Sequence, residues 1–200
     1  HELKKFNLAI DSFEKVINTN PNYAWAHYKK ANSLQSLNKL EESIIAYEKA
    51  ISLKPNLAEA HYNMALSLHN IRRLDDAISS YNNAINIKPN FSQAYYNKGQ
   101  SLSQIGMHKE SIISFENAIL LKPDYALAYC GLGDAFEKLG DLENASQSYK
   151  KALEIEPKFE IVFGSYFHIQ MLLCNWVDFT KNLAFLMSEI ISKRRIVSPL

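Results

Sequence analysis

The chain has 200 residues, 22 Lys and Arg against 21 Asp and Glu, and 47% hydrophobic residues. A formal net charge of +1 gives no bulk electrostatic pull toward nucleic acid or acidic membrane, and 12% aromatic residues argue against a disordered chain. No apolar run reaches the roughly 18–20 residues of a membrane span. The two cysteines, Cys130 and Cys174, stand far apart and outside any disulfide framework, which fits a reducing, cytoplasmic setting. The first residues, His1, Glu2, Leu3, Lys4 and Lys5, are polar and not a signal peptide, and a start at His1 reads as a fragment or processed chain.

Taken in chain order, the sequence repeats itself. Pro21, Pro55, Pro89, Pro123 and Pro157 follow at intervals of 34 residues, and only Pro199 stands outside the series. With this proline as position 32, residues 1–23 supply the second half of one repeat, and whole repeats span 24–57, 58–91, 92–125 and 126–159. Position 8 is small in each: Ala31, Ala65, Gly99, Gly133. Position 20 is Ala9, Ser43, Ala77, Ser111 and Ala145, and position 27 is Val16, Ala50, Ala84, Ala118 and Ala152. Position 24 is aromatic throughout: Phe13, Tyr47, Tyr81, Phe115, Tyr149.

Apolar positions 4, 8 and 11, then 17, 20, 21, 24, 27 and 28, follow helical spacing and predict two antiparallel helices per repeat. Small residues let the helices approach, and the ring at 24 fills the space between them. The turn is expected near positions 15–18, where Gly106 and Gly140 can take a left-handed helix end. The proline ends the second helix, because it lacks an N–H and turns its predecessor away from helix. Asn22, Asn56, Asn90 and Asp124, at position 33, suit the entry to the next helix. No window alternates as a strand does, so the predicted fold is all-α.

Over residues 1–159 this pattern resembles the tetratricopeptide repeat (TPR) family. The resemblance implies a right-handed solenoid of stacked helix pairs whose concave face binds an extended peptide or partner protein, a scaffold and not a catalyst. In that family first-helix positions 2, 5, 6, 9, 12 and 13 line the groove. Position 5 reads Tyr28, Tyr62, Tyr96, Cys130, and position 6 reads Lys29, Asn63, Asn97, Gly131. Position 9 reads Asn32, Leu66, Gln100, Asp134, and position 2 reads Trp25, Glu59, Gln93, Leu127. The expected peptide-binding residues are Trp25, Tyr28, Asn32, Tyr62, Asn63, Leu66, Gln93, Tyr96, Asn97, Gln100 and Asp134. Rings give contact area, and side-chain amides hydrogen-bond a backbone in both senses. The alternative for Tyr at position 5 is plain packing between repeats. Tyr there also removes the Lys, Arg and Asn cluster with which some relatives clamp a terminal carboxylate.

Other constellations have bland readings. His27 and His61 share position 4 but lack a partner at metal-ligand spacing, and read as packed interhelical histidines. Gly131 and Gly133 begin a dinucleotide loop whose third glycine is replaced by Phe136. No nucleophile has a base and orienter at motif spacing. Neither a catalytic, metal nor cofactor site is expected. Lys193, Arg194 and Arg195 read as a solvated helix end. The sequons at Asn90 and Asn144 read as chance matches.

After Pro157 the pattern decays. Residues 160–174 are apolar nearly all round, as in a helix covered on more than one face, and a further helix is expected from about Asp178 to Arg195. His168, Cys174, Trp176, Asp178 and Phe179 resemble the phrase that closes the repeats of O-GlcNAc transferase-like and SPINDLY-like proteins. Asn175 replaces the usual Asp, and Leu200 stands where Phe is expected. Asn63 and Asn97 also match the groove asparagines of that family, while Lys29 and Gly131 depart from them.

Two functional readings follow. In one, the chain is the substrate- or partner-recruiting arm of a larger O-GlcNAc transferase-like protein, with 160–200 as a helix pair and junction to a further domain. In the other, it is a free-standing TPR adaptor with a helical cap. The expected partner is an extended peptide or protein, not nucleic acid or membrane. An apolar patch at Trp176, Phe179 or 183–191 is expected to drive dimerisation through the C-terminal end.

Overall fold

The computed structural model describes residues 2–175, which form ten α-helices and, among the described residues, no strand. They are α1 (Glu2–Thr19), α2 (Ala24–Ser36), α3 (Leu40–Leu53), α4 (Ala58–Asn70), α5 (Leu74–Ile87), α6 (Ser92–Gln104), α7 (His108–Leu121), α8 (Ala126–Lys138), α9 (Leu142–Ile155) and α10 (Glu160–Leu172). Trp176, Asp178, Phe179, the helix expected to Arg195 and the basic stretch from Lys193 lie outside the described residues. So do the expected apolar patch and dimer contact.

The chain divides into two compact units, one ending at Pro123 and one beginning at Asp124. In the first, α2 pairs with α3, α4 with α5 and α6 with α7, while α1 packs on α2 as an unaccompanied second helix. In the second, α8 pairs with α9 and α10 packs on α9. This is a helical solenoid architecture built from one repeated pair.

Each pair closes on the ring at position 24. Tyr47, Tyr81, Phe115 and Tyr149 are almost wholly sealed, as are the small residues at positions 20 and 27 beside them. Position 8 lies under the ring. A Cβ on Gly99 would come 2.8 Å from Phe115 Cε1, and one on Gly133 would come 2.6 Å from Tyr149 Cε1. Glycine at these two positions is therefore a packing requirement, whereas the first two repeats seat their rings over Ala31 and Ala65.

The first helices end alike. Position 15 takes a left-handed backbone in Asn38 (φ 58), Arg72 (φ 67), Gly106 (φ 82), Gly140 (φ 78) and Cys174 (φ 52). The next amide then donates back to the carbonyl of position 11, at 2.9 Å for Lys39 to Leu34 and for Asn175 to Gln170. Cys174 falls in this register because α10 has the same 13 residues as α2, α4, α6 and α8. The 34-residue geometry thus continues past Pro157, although the sequence pattern decays there.

Two local expectations need correction. The turn occupies positions 14–16, and the second helix already begins at 17, ahead of the expected 15–18. Asn or Asp at 33 does not cap the next helix. The N-cap is position 34, at Tyr23, Leu57, Phe91, Tyr125 and Phe159, and none of these makes a side-chain cap bond. The proline and position 33 form the two turn residues, so the following backbone carbonyl starts the helix, as when Ala60 N donates to Leu57 O at 3.0 Å. The chain is already in helical register when it leaves the turn.

Candidate functional site

Position 5 of each first helix leans on the ring at position 24 of the same repeat. Tyr28 and Tyr47 have centroids 6.1 Å apart, Tyr62 and Tyr81 6.0 Å, Tyr96 and Phe115 6.0 Å. Tyr28 is buried, while Tyr62 and Tyr96 are half-buried. Tyr62 and Tyr96 are therefore floor as well as surface, while Tyr28 is floor alone.

The amides tie successive repeats together at this floor. Asn63 Nδ2 donates to Tyr28 Oη at 3.3 Å and to Asn32 Oδ1 at 3.1 Å, and Asn97 Nδ2 donates to Tyr62 Oη at 2.9 Å. Gln100 Nε2 donates to Tyr96 Oη at 2.7 Å within its own helix. Burial holds the Tyr62 phenol above its ordinary pKa, with the Asn97 bond pulling the other way. Each carboxamide oxygen of Asn63 and Asn97 keeps acceptor capacity. Leu66 is half-buried among them, and Gln93 is exposed. Trp25 is 41% exposed and meets Tyr28 edge-on at 5.4 Å.

Asp134 belongs to the second compact unit. Its Oδ1 accepts from Tyr149 Oη at 2.7 Å, and Glu137 Oε2 lies 2.8 Å from the same hydroxyl. Desolvation holds the Asp134 carboxyl above the usual carboxylate range, with Tyr149 opposing and Glu137 adding to the shift. Although the residue as a whole is exposed, its carboxyl is turned in toward the buried ring. Cys130, at position 5 here, has its thiol pushed up to about 12, by burial first and by Asp134 second, so it is an inert thiol.

The histidines at position 4 act as expected of packed groups. His27 Nε2 donates to Pro21 O at 2.9 Å and His61 Nε2 to Pro55 O at 3.0 Å, since a carbonyl only accepts. Each links a first helix to the proline turn before it. Among the described residues no cluster of His, Cys, Asp or Glu could hold a metal. Both cysteines are free, and no described helix is long and apolar enough to cross a membrane.

Two features were not anticipated. Position 12 of one repeat bonds to position 10 of the next. Gln35 Nε2 donates to Ser67 Oγ at 3.0 Å, and His69 Nδ1 meets Ser101 Oγ at 2.8 Å. The partners lie 32 residues apart and differ in chemistry, so no local motif marks them. The second is the lysine at position 31. Lys88 pairs with Glu59 at 3.1 Å, and Lys54 lies over the Trp25 ring at 5.7 Å.

Residues 31–71, 73–106 and 99–140 match a TPR repeat family, and residues 126–159 match the tetratricopeptide repeat family. No curated protein sequence matches the chain. Among solved structures, a crystal structure of MamA is 29% identical with a TM-score of 0.75, covering 76% of this chain and 90% of that one. A second crystal structure of MamA is also 29% identical, at 0.74 over 78% and 85%. MamA from Desulfovibrio magneticus RS-1, at 20% identity and a TM-score of 0.78 over 84% and 96%, shares the fold. These are similar in architecture to the present chain. The resemblance of the tail to O-GlcNAc transferase-like proteins is not shown by these comparisons.

Proposed function

The chain belongs to the tetratricopeptide repeat family, and from that premise we propose that its first helices form the groove of an adaptor that holds an extended segment of a partner protein. The repeats are a protein-interaction scaffold and not an enzyme. With repeats taken to begin at residues 24, 58 and 92, the groove residues of the first unit are Trp25, Tyr28, Asn32, Tyr62, Asn63, Leu66, Gln93, Tyr96, Asn97 and Gln100, and Asp134 holds the corresponding position in the second unit by itself. The observation that carries this reading is the joined row of phenols and amides. Asn63 and Asn97 spend their N–H groups on Tyr28, Asn32 and Tyr62, which fixes their carboxamide oxygens to accept from a peptide N–H. A preorganised acceptor loses little entropy on binding.

The test uses a peptide selected from a random library on the whole chain. Asn63→Ala with Asn97→Ala should weaken it roughly 5- to 150-fold, from about 0.5–1.5 kcal/mol per amide. The control pair, Lys49→Ala with Asn83→Ala on exposed second-helix positions, should leave affinity unchanged. Equal losses from both pairs would remove the groove. A free-standing adaptor is compatible with the likeness to MamA. Only the phrase from His168 to Phe179 favours an attached O-GlcNAc transferase-like region, and reading the gene past codon 200 separates the two. The free thiols support a cytoplasmic setting.

A further inference from the structure

We propose that His69, Arg72 and Gln104, at one side of this groove, form a binding site for a carboxylate, an Asp or Glu side chain of the partner segment, and that the Gln104 carboxamide fills the site until that side chain displaces it. This rests on the groove reading and adds the chemistry that the groove selects.

The site lies where α4 and α6 end, inside the first unit. Arg72 Nη1 donates to Gln104 Oε1 at 2.6 Å, and Gln104 Nε2 meets His69 Nε2 at 3.2 Å. His69 Nδ1 meets Ser101 Oγ at 2.8 Å, and that hydroxyl donates to Asn97 O at 3.0 Å. A guanidinium only donates, so Arg72 holds the Gln104 oxygen toward itself and leaves the amide nitrogen to the imidazole. His69 then offers a lone pair on Nε2 and keeps its proton on Nδ1. One planar carboxamide thus spans a guanidinium and an imidazole. A carboxylate has the same outline with an acceptor at both ends. One oxygen takes the Arg72 N–H, the other takes the Nε2–H of a protonated His69, and both bonds are charge-assisted. The proton comes from solvent, and the displaced Gln104 side chain is already exposed.

Arg72 is out of place as a merely structural residue. Its backbone is left-handed, φ 67, at the position where Gly106 and Gly140 stand in later repeats. A long side chain is a poor choice for that conformation, and such choices gather where the strain serves a function. Yet among the described residues the Arg72 side chain makes one hydrogen bond, to the neutral Gln104, and no ion pair. Arg73 beside it has its own acid, since Nε and Nη2 both reach Asp76 Oδ2 at 2.7 Å. The preceding junction shows a closed version. Gln35 stands there at the position of His69, and Asn38 at that of Arg72. The Gln35 amide nitrogen donates to Asn63 O and Ser67 Oγ, and its oxygen accepts from Tyr47 Oη, so every group has an internal partner. Of the five first helices among the described residues, α4 alone joins an imidazole at position 12 to a cation at position 15.

The geometry couples the carboxylate to a proton. Burial first and Arg72 second hold His69 below its ordinary 6.5. Among the described residues Arg72 is the one charge acting on it. From α6 it is faced by the uncharged Ser101 and Gln104. The Tyr81 phenol of α5 is held above its ordinary pKa by burial first and Tyr62 second, and no group of α2 or α3 adds a charge to the imidazole. A bound carboxylate offsets the Arg72 repulsion and accepts the new N–H, so it raises the His69 pKa. Affinity is therefore full below the lowered value of the free chain and falls as pH rises past it, by up to about tenfold per unit. The source is a side chain because of where the site lies. His69 is six residues beyond Asn63 on α4, about 9 Å along the helix, so a segment lying on Asn63 and Asn97 reaches it by a branch and not by its main chain. Phosphate fits less well, since a planar group spans the two donors.

The experiment pans random twelve-residue peptides with blocked termini against the whole chain at pH 5.5, with Arg72→Gln as the counter-selection. The best sequence is then measured by fluorescence anisotropy from pH 5.5 to 7.5, beside its Asp→Asn or Glu→Gln version. The expected outcome is an enriched Asp or Glu whose neutralisation weakens binding roughly 3- to 30-fold, a similar loss in Arg72→Gln, and no further loss when the two are combined. Affinity should fall as pH rises, and His69→Gln should remove that fall. Gln104→Glu supplies the carboxylate from within. It should weaken the peptide by a similar factor and raise the His69 pKa above 6.5, read by NMR titration of the ring. Selection without acidic residues, equal binding by Arg72→Gln, the same pH profile in His69→Gln, no rise in the His69 pKa in Gln104→Glu, or displacement of the peptide by inorganic phosphate in preference to acetate would each overturn the site. So would equal binding by an unblocked peptide that lacks Asp and Glu, which would make the ligand a chain end. If Asn63→Ala/Asn97→Ala abolishes binding while Arg72→Gln binds normally, the groove stands and the site falls. The reverse pattern keeps the site and removes the groove, and an empty selection removes both. Melting curves of Arg72→Gln at pH 7.5 should match the parent, since the side chain is exposed. Should that variant unfold, the Gln104→Glu titration decides alone.

Discussion

Tyr47, Tyr81 and Tyr149 occupy the same place in three repeats and differ in what faces the hydroxyl. Tyr47 Oη lies 2.7 Å from Asn32 Oδ1 and 3.1 Å from Gln35 Oε1. Tyr149 Oη has two carboxylates, Asp134 and Glu137. Tyr81 faces a repeat with Leu66 at position 9 and His69 at position 12, and its buried hydroxyl has no hydrogen-bond partner. Replacing a paired phenol loses its bond, whereas replacing an orphaned one removes a desolvation cost. Tyr47→Phe and Tyr149→Phe should therefore each destabilise by about 1 kcal/mol, more for Tyr149, which leaves two acids without their donor. Tyr81→Phe should stabilise by about 1 kcal/mol, and thermal melts of the three should separate by sign. Gly99→Ala should also destabilise, because crowding of about 1–3 kcal/mol outweighs the roughly 1 kcal/mol that Ala gains over Gly in a helix. Ala31→Gly should destabilise too, from the opposite side, by losing propensity and a sealed methyl. The sequence placed Asn32 and Asp134 on the groove face by analogy. It could not show that they also hold the rings, because the spacing of 15 residues between donor and acceptor spans a turn and belongs to no motif.

Between first helices, the bond from position 12 to position 10 is fixed in one repeat junction and titratable in the next. Arg72 only donates, so the Gln104 oxygen, 2.6 Å away, faces it and the Gln104 amide nitrogen faces His69 Nε2 at 3.2 Å. His69 must then carry its proton on Nδ1 and give it to Ser101 Oγ, whose own hydrogen goes to Asn97 O at 3.0 Å. A second proton on His69 would set N–H against NH₂, and turning the Gln104 amide would set NH₂ against guanidinium. Burial first, and Arg72 second, lower the His69 pKa from its ordinary 6.5. The unfolded chain therefore binds the proton more tightly. The contribution to stability is complete above pH 6.5 and is lost as pH falls through the lowered folded value. His69→Gln, which copies Gln35, should flatten the change in melting temperature between pH 7.5 and 5.5. An unchanged pH profile would dissociate His69 from the acid loss. At this scale the sequence was most legible where backbone chemistry is local. Proline marked the end of each second helix, and Gly106 and Gly140 marked the left-handed turn. Asn38, Arg72 and Cys174 take that same conformation without announcing it, because the bond back to position 11 holds the backbone there whatever the side chain.

Within each of the two units the contacts run from a helix to its chain neighbours, and in the first unit also from one first helix to the next. Stability in such an array is close to a sum of repeat and nearest-neighbour terms. Residues 1–123, a compact unit by themselves, should fold alone with helical circular dichroism and a cooperative melt. An unfolded 1–123 fragment would mean that the array depends on its second unit. The periodic prolines, small residues and rings made this architecture readable, since each repeat states the same packing problem. The extent of the last repeat was not readable, because α10 keeps the length and closing turn of a first helix while its residues abandon the pattern. The sealing of each ring by its own first helix also sets an order in time. On a ribosome, which delivers about 5–20 residues per second, the helix carrying Ala31 or Gly99 emerges before the ring that must sit on it. Every aromatic therefore reaches the tunnel exit with most of its seat already made, and waits for no more than the next first helix to finish covering it. Nascent chains of this kind expose little adhesive surface at any moment, and lengthening the array adds synthesis time without adding to what is exposed.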